Sequence, residues 1–185
     1  MKTALKLVAI SAAAALLGGC VIQTLSPLFA EKDLARYSDI LGTWTQDDNV
    51  GVWTFSTDGN RYKLVQRDEK KRVATFHASV GKLGSDVFMD CTLDDLEDRL
   101  NDVAALHLIP AHTFCKLVKR DTNLVLVAMD VDWLSGKLKD NPKLIPHVMQ
   151  QDRPVLTAST AELQQFVQKF AGDTNAFKNE IVLKR

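Results

Sequence analysis

Residues 123–130 (NLVLVAMD) constrain the architecture of this chain more than any other stretch. Successive side chains of a strand point to opposite faces, so Leu124, Leu126 and Ala128 share one face and Val125, Val127 and Met129 the other. A strand that is apolar on both faces has to be covered twice. The sheet around it therefore carries helices on one face or closes on itself.

The neighbouring segments supply such a sheet. Residues 112–120 (HTFCKLVKR) pair with this strand across Asp121-Thr122-Asn123. Upstream, residues 37–46 (YSDILGTWTQ) enter a first strand, and 51–56 (GVWTFS) alternate Trp53 and Phe55 with Val52 and Thr54. Asp58-Gly59 predicts a tight hairpin, since a type I′ turn needs positive φ at both central residues. The return strand puts Tyr62 and Leu64 on one face, and strands at about 72–80 and 85–91 follow. The pattern then changes: Thr92 reads as a helix N-cap, with Leu93, Leu96, Leu100, Val103 and Ala104 at helical spacing. Its acidic first turn (Asp94, Asp95, Glu97, Asp98) is what the helix dipole favours. A short helix spans Trp133 to Lys139, capped by Asp132, anchored by Trp133 and stopped at Asn141-Pro142. Ser159 and Glu162 form a capping box ahead of the stripe Leu163, Phe166, Val167, Phe170 and Ala171, and Gly172 ends that helix. Residues 181–184 (IVLK) read as a closing edge strand. The expected fold is α+β: a mainly antiparallel, barrel-like or strongly curved sheet with two or three packed helices.

The first twenty residues are of another kind. Lys2 and Lys6 precede a short alanine-rich apolar run that ends in Leu16-Leu17-Gly18-Gly19-Cys20, the layout of a secretory signal and too short for a resident membrane helix. The Leu-Gly-Gly-Cys ending resembles the lipobox of bacterial lipoproteins. The resemblance implies cleavage before Cys20, diacylglycerol on its sulfur and an acylated new amino terminus. Val21 follows in place of the Asp that marks retention in an inner membrane, so the resemblance implies export to the outer membrane of a Gram-negative cell. Residues 1–19 are then the signal peptide, 20–33 the lipidated cysteine and a tether, and 34–185 one β-rich domain. Stretched out, such a tether reaches roughly 40 Å. Leu25, Leu28 and Phe29 offer an alternative, in which the segment packs on the domain.

Composition excludes several functions. Lys plus Arg and Asp plus Glu number 23 each; losing Lys2 and Lys6 with the leader leaves a slight negative charge, and no basic run is interleaved with aromatics. A nucleic-acid partner is not expected. With Cys20 committed to lipid, Cys91 and Cys115 form an even pair in a compartment where disulfides persist, the alternative being two buried thiols. His107 and His112 flank Pro110 at a spacing no helix can align, and His77 and His147 stand alone, so no metal site is expected. Asp130 and Asp132 before Trp133 could suggest a sugar site, but helix capping accounts for them better. There is no Gly-x-Ser-x-Gly, no Cys-x-x-Cys and no glycine-rich phosphate loop. Neither an enzyme nor a cofactor is expected.

Around Leu41-Gly42-Thr43-Trp44 the chain resembles the start of lipocalins, in which Gly-x-Trp opens the first strand and the Trp plugs one end of the barrel. The resemblance implies an eight-stranded barrel enclosing a small apolar ligand, followed by a late helix and a final strand. The candidate ligand-contacting residues are Trp44, Trp53, Phe55, Tyr62, Phe76 and Phe88. Two functions follow. One is a non-catalytic accessory lipoprotein with a solid core, presenting a face to an envelope protein; the other is a binder of a small apolar or amphipathic ligand at the membrane surface. A connected cavity of several hundred Å3 separates the second from the first.

Overall fold

The computed structural model describes residues 21–46, 51–94 and 109–185. In chain order its elements begin with β1 (Gln23–Thr24), β2 (Gly42–Gln46), β3 (Gly51–Asp58), β4 (Arg61–Asp68), β5 (Val73–Leu83) and β6 (Asp86–Leu93). There follow β7 (His112–Arg120), β8 (Asn123–Met129), α1 (Val131–Asp140), β9 (His147–Gln150), β10 (Arg153–Leu156), α2 (Thr160–Phe170) and β11 (Phe177–Lys184). Strands β2 to β8 form an antiparallel meander, and β11 returns between β8 and β2. The pairs Leu183↔Gln46 and Lys184↔Thr45 close the barrel. The segment expected as an edge strand at 181–184 is thus longer, and it is no edge: closure gives its backbone partners on both sides.

Strand β8 is covered twice, as its composition requires. Leu124 and Leu126 are buried inside the barrel, while Val125, Val127 and Met129 are buried in an outer core with α1 and α2. Both ways of covering the strand are in use: the sheet closes on itself, and helices pack on its outer face. The capping box of α2 forms as expected, Ser159 Oγ accepting from the Glu162 N–H and the Ser159 N–H donating to Glu162 Oε2.

Four local readings change. The β3–β4 loop is Gly59-Asn60, closed by Asp58↔Arg61, with positive φ at Gly59 and not at Asn60; one positive φ at the first central residue is the type II′ pattern, not type I′. Thr92 and Leu93 belong to β6, where Thr92 pairs with His77 and His112, so Thr92 caps no helix. Most of the helix expected there lies outside the described residues. The cap of α1 is Asp130, whose Oδ1 accepts from the Trp133 N–H at 2.7 Å, leaving Asp132 in the first turn. A hairpin, β9–β10, occupies the weakly patterned stretch that runs up to and through Pro154–Leu156.

Residues 21–33 are not a free tether. Ile22, Leu28 and Phe29 are buried in the outer core, although Leu25 is exposed. Gly81 on β5 makes room for the Phe29 ring: a Cβ there would lie 2.5–2.8 Å from three of its carbons. Beyond Cys115 the place beside β7 passes from β8 to β1, through Gln23↔Thr113 and Thr24↔His112. Parallel pairing of β1 with β10 then joins the hairpin β9–β10 to this wall as a flap.

Candidate functional site

Strand parity and register divide the barrel interior into two halves. At the lower end the 3-10 turn Ser38–Ile40 crosses the opening, and Trp44, 0% exposed, donates from Nε1 to the Ile40 carbonyl at 2.7 Å. The Arg185 guanidinium lies 4.3 Å and the Lys119 ammonium 5.2 Å from the Trp44 ring centre, cations over an aromatic face. Arg185 also donates to the Leu41 carbonyl. Phe55, Tyr62, Leu124 and Leu183 fill this half. The Tyr62 hydroxyl is committed to structure, accepting from the Tyr37 N–H at 2.6 Å.

The upper half is hollow. A cavity of about 340 Å3 is walled by inward side chains of β3 to β8 and β11, among them Trp53, Leu64, Phe76, Met89, Leu126 and Ile181. Its rim is formed by Val21, Gln23, Val131, Arg153 and Pro154, from the amino-terminal strap, the start of α1 and the flap. Two buried polar atoms in its wall, Trp53 Nε1 and Gln66 Nε2, have no hydrogen-bond partner. A Cβ at Gly51 would stand 3.4 Å from each of these nitrogens and 3.3 Å from the Arg67 carbonyl oxygen, so a larger residue there would crowd them.

The six candidate ligand residues therefore separate. Trp53 and Phe76 line the cavity; Trp44, Phe55 and Tyr62 are interior but belong to the filled half. Phe88 is on the wrong side of the wall. It alternates with inward Met89 and lies in the outer core, its ring edge-on to Phe177 at 5.6 Å. Reading the strand at 85–91 without its partners left its parity open, and the pair Val80↔Met89 decides it. Sequence reasoning missed Gln66, Met89, Leu126 and Ile181. Once Trp53 is placed inward, the register Trp53↔Gln66 carries that orientation to β4.

Cys91 and Cys115 also face the cavity, and both are free thiols, correcting the expected disulfide. The register gives the reason: Cys91 is opposite Thr113 and Cys115 opposite Met89, so the two stand diagonally, two residues out of step. Diagonal neighbours lie some 7–8 Å apart in an antiparallel pair, somewhat less between Cβ atoms, whereas a disulfide needs Cβ atoms about 3.5–4.5 Å apart. Burial, with the Asp90 charge, pushes the Cys115 thiol up to about 12. Cys91 is raised well above the ordinary thiol range by burial first, then by Cys115 and Asp90. Such thiols stay protonated and are poor nucleophiles.

The described histidines, Asp90 and Asp130 lie outside the barrel. Half-buried His112 places its Nδ1 2.9 Å from Oδ2 of buried Asp90, a pair with no counterpart in the sequence reading. His77 Nε2 lies 2.8 Å from Asp94 Oδ1, and His147 Nδ1 2.9 Å from the Ile145 carbonyl; His107 is outside the described residues. Burial alone would raise the Asp130 carboxyl, but the Trp133 N–H, Lys178 and Asn179 outweigh it and hold the group below its usual range. Asp130 and Asp132 share a polar recess with Gln151 and Asp152, beside the cavity rim. Among the described residues no group of three His, Cys, Asp or Glu could hold a metal, and no helix is long and apolar enough to cross a membrane. Compared with protein-family models, curated proteins and solved structures, the chain matches none.

Proposed function

We propose that this chain is an envelope lipoprotein, anchored through acyl chains on Cys20, whose barrel binds a small apolar or amphipathic ligand. The cavity carries the reading: at about 340 Å3 it falls within the range of roughly 300–1,000 Å3 typical of small-molecule pockets. An accessory protein with a solid core has no use for an empty half-barrel. Filling such a space with side chains would stabilise the fold, since lost contacts cost about 24 cal/mol per Å3 of void. Gln23 and Thr113 at the mouth of a mainly apolar cavity favour an amphipathic ligand over a pure hydrocarbon, with the tail inside and a polar head at the rim. The likeness to lipocalins draws support from Trp44 at the closed end, the eight-stranded barrel, and a final strand that follows a late helix. Anchoring takes two or more acyl chains, since one alone gives only marginal membrane binding. The absence of Asp after Cys20 favours the outer membrane as the destination.

The test uses residues 21–185 as a soluble domain and N-phenyl-1-naphthylamine, an uncharged apolar fluorophore. Its emission should rise on binding, and Ala128→Trp, which projects an indole into the cavity, should weaken binding at least about tenfold with the thermal unfolding midpoint retained. Equal binding by the variant, or none by the parent, rejects the reading.

A further inference from the structure

The sequence allows a lipidated Cys20 to stand roughly 40 Å from the domain. The fold removes that slack. Val21 and Gln23 are themselves part of the cavity rim, Ile22 is buried, and Gln23–Thr24 is paired with both β7 and β10. Adjacent Cα atoms are about 3.8 Å apart, so the residue that would carry the acyl chains follows directly on the rim. A diacylglycerol at Cys20 therefore brings the mouth of the cavity to the membrane surface.

The distribution of exposed apolar side chains agrees independently. Besides Val21, the large exposed ones among the described residues are Leu25, Val73, Leu93, Ile109, Val148 and Met149. By register all lie at the cavity end or on its flap. Val73 opens β5, Leu93 ends β6, Ile109 leads into β7, Leu25 follows β1, and Val148 and Met149 sit on β9 opposite Val155 and Pro154. The Trp44 end has none. Scattered apolar residues are ordinary on a soluble surface, but their confinement to the end that carries the anchor and the mouth is not.

We propose that the cavity faces the leaflet in which Cys20 is anchored and takes its ligand, an amphiphile with an apolar tail, directly out of that bilayer rather than from the aqueous phase. The inference rests on the lipoprotein and cavity reading above. It adds the source of the ligand and the surface through which the ligand passes.

The experiment uses the full lipidated protein in phosphatidylcholine vesicles, with acylation of Cys20 verified by mass spectrometry. The probe is 11-(dansylamino)undecanoic acid, supplied either dissolved in the vesicles or free in buffer to the detergent-solubilised protein. Two variants move the mouth without touching the cavity wall. One inserts twelve Gly and Ser residues between Cys20 and Val21, a flexible leash of about 20 Å; the other carries Val148→Asp and Met149→Asp. Both should bind the free probe within about twofold of the parent and take it up from vesicles at least about fivefold more slowly. Equal uptake from vesicles by all three forms, with free-probe binding intact, overturns this inference and leaves the cavity reading standing. No binding of free probe by any form, or an unacylated Cys20, overturns both.

Discussion

Replacing Gly81 with Ala tests how the amino-terminal strap is held. A Cβ at this position would lie 2.5–2.8 Å from three carbons of the Phe29 ring, against about 3.5–4.0 Å for a comfortable carbon contact. Ring or strand has to move by about an ångström. The strand has little freedom, because Gly81 is paired with Phe88 of β6 on one side and bridged to Leu34 on the other, where the pairing with β4 has already ended at Ala78. The ring therefore yields, in a site where Phe29 is 3% exposed and where Leu34 bridges to Gly81 and the Ala35 N–H donates to the Val80 carbonyl at 2.8 Å. Overpacking of this kind costs about 1–3 kcal/mol, and full loss of a buried Phe by truncation about 3–5 kcal/mol. Gly81→Ala should thus lose about 2–3 kcal/mol in urea unfolding of the soluble domain, and Phe29→Ala somewhat more. Removing the ring takes away all three nearest contacts of the added methyl, and a strand glycine replaced by Ala recovers about 0.5 kcal/mol of chain entropy. The double variant should therefore be no less stable than Phe29→Ala alone, a coupling of about 2–3 kcal/mol. Trypsin should cut after Lys32 and Arg36 faster in Gly81→Ala than in the parent. Additive losses in the double variant, with unchanged cleavage, would refute the contact and the docked strap together.

Two further perturbations separate roles that the sequence merged. Asp130→Ala should cost about 1–2 kcal/mol through loss of the α1 cap, whereas Asp132→Ala should be nearly neutral. Because the folded Asp130 carboxyl is held low, its contribution is present above the unfolded value near 3.9 and is lost as pH falls through the folded one; Asp130→Asn should flatten that acid limb in unfolding curves, and an unchanged limb would exclude the assignment. Cys91 and Cys115 should resist iodoacetamide at pH 8 in the folded domain, react fully in urea, and show no change in intact mass on reduction. Stability should also decline above about pH 8.5, where unfolded thiols ionise while Cys115 in the fold stays protonated up to about 12. A two-dalton mass gain on reduction would restore the disulfide.

Local chemistry made much of this protein legible. Alternation located the meander, the capping box located α2, and two-faced apolarity at 123–130 required both an inner and an outer cover. Boundaries failed where local signals competed. Thr92 and its following carboxylates look like a helix start, yet pairing with His77 and His112 keeps Thr92 in a strand. Read locally, the cap of α1 falls to Asp132, yet Asp130 holds it, because its carboxylate is the one within reach of the Trp133 N–H.

The site was legible only in part, because it depends on properties no single segment possesses. Whether Phe88 faces in or out follows from its register with β5, and whether Cys91 and Cys115 can bond follows from a two-residue offset between strands. The barrel closes only through β11 and β2, more than a hundred residues apart, and a gap of about 340 Å3 is what many side chains from several strands together fail to fill. The sequence by itself determined the strands of the meander, the capping box of α2, the need for a double cover and the expectation of a lipid on Cys20, since each is decided by neighbours along the chain. Tertiary structure alone decided that the strap packs down, that half the barrel stays hollow, and that Val21 is part of the cavity rim, because these follow from packing between distant segments.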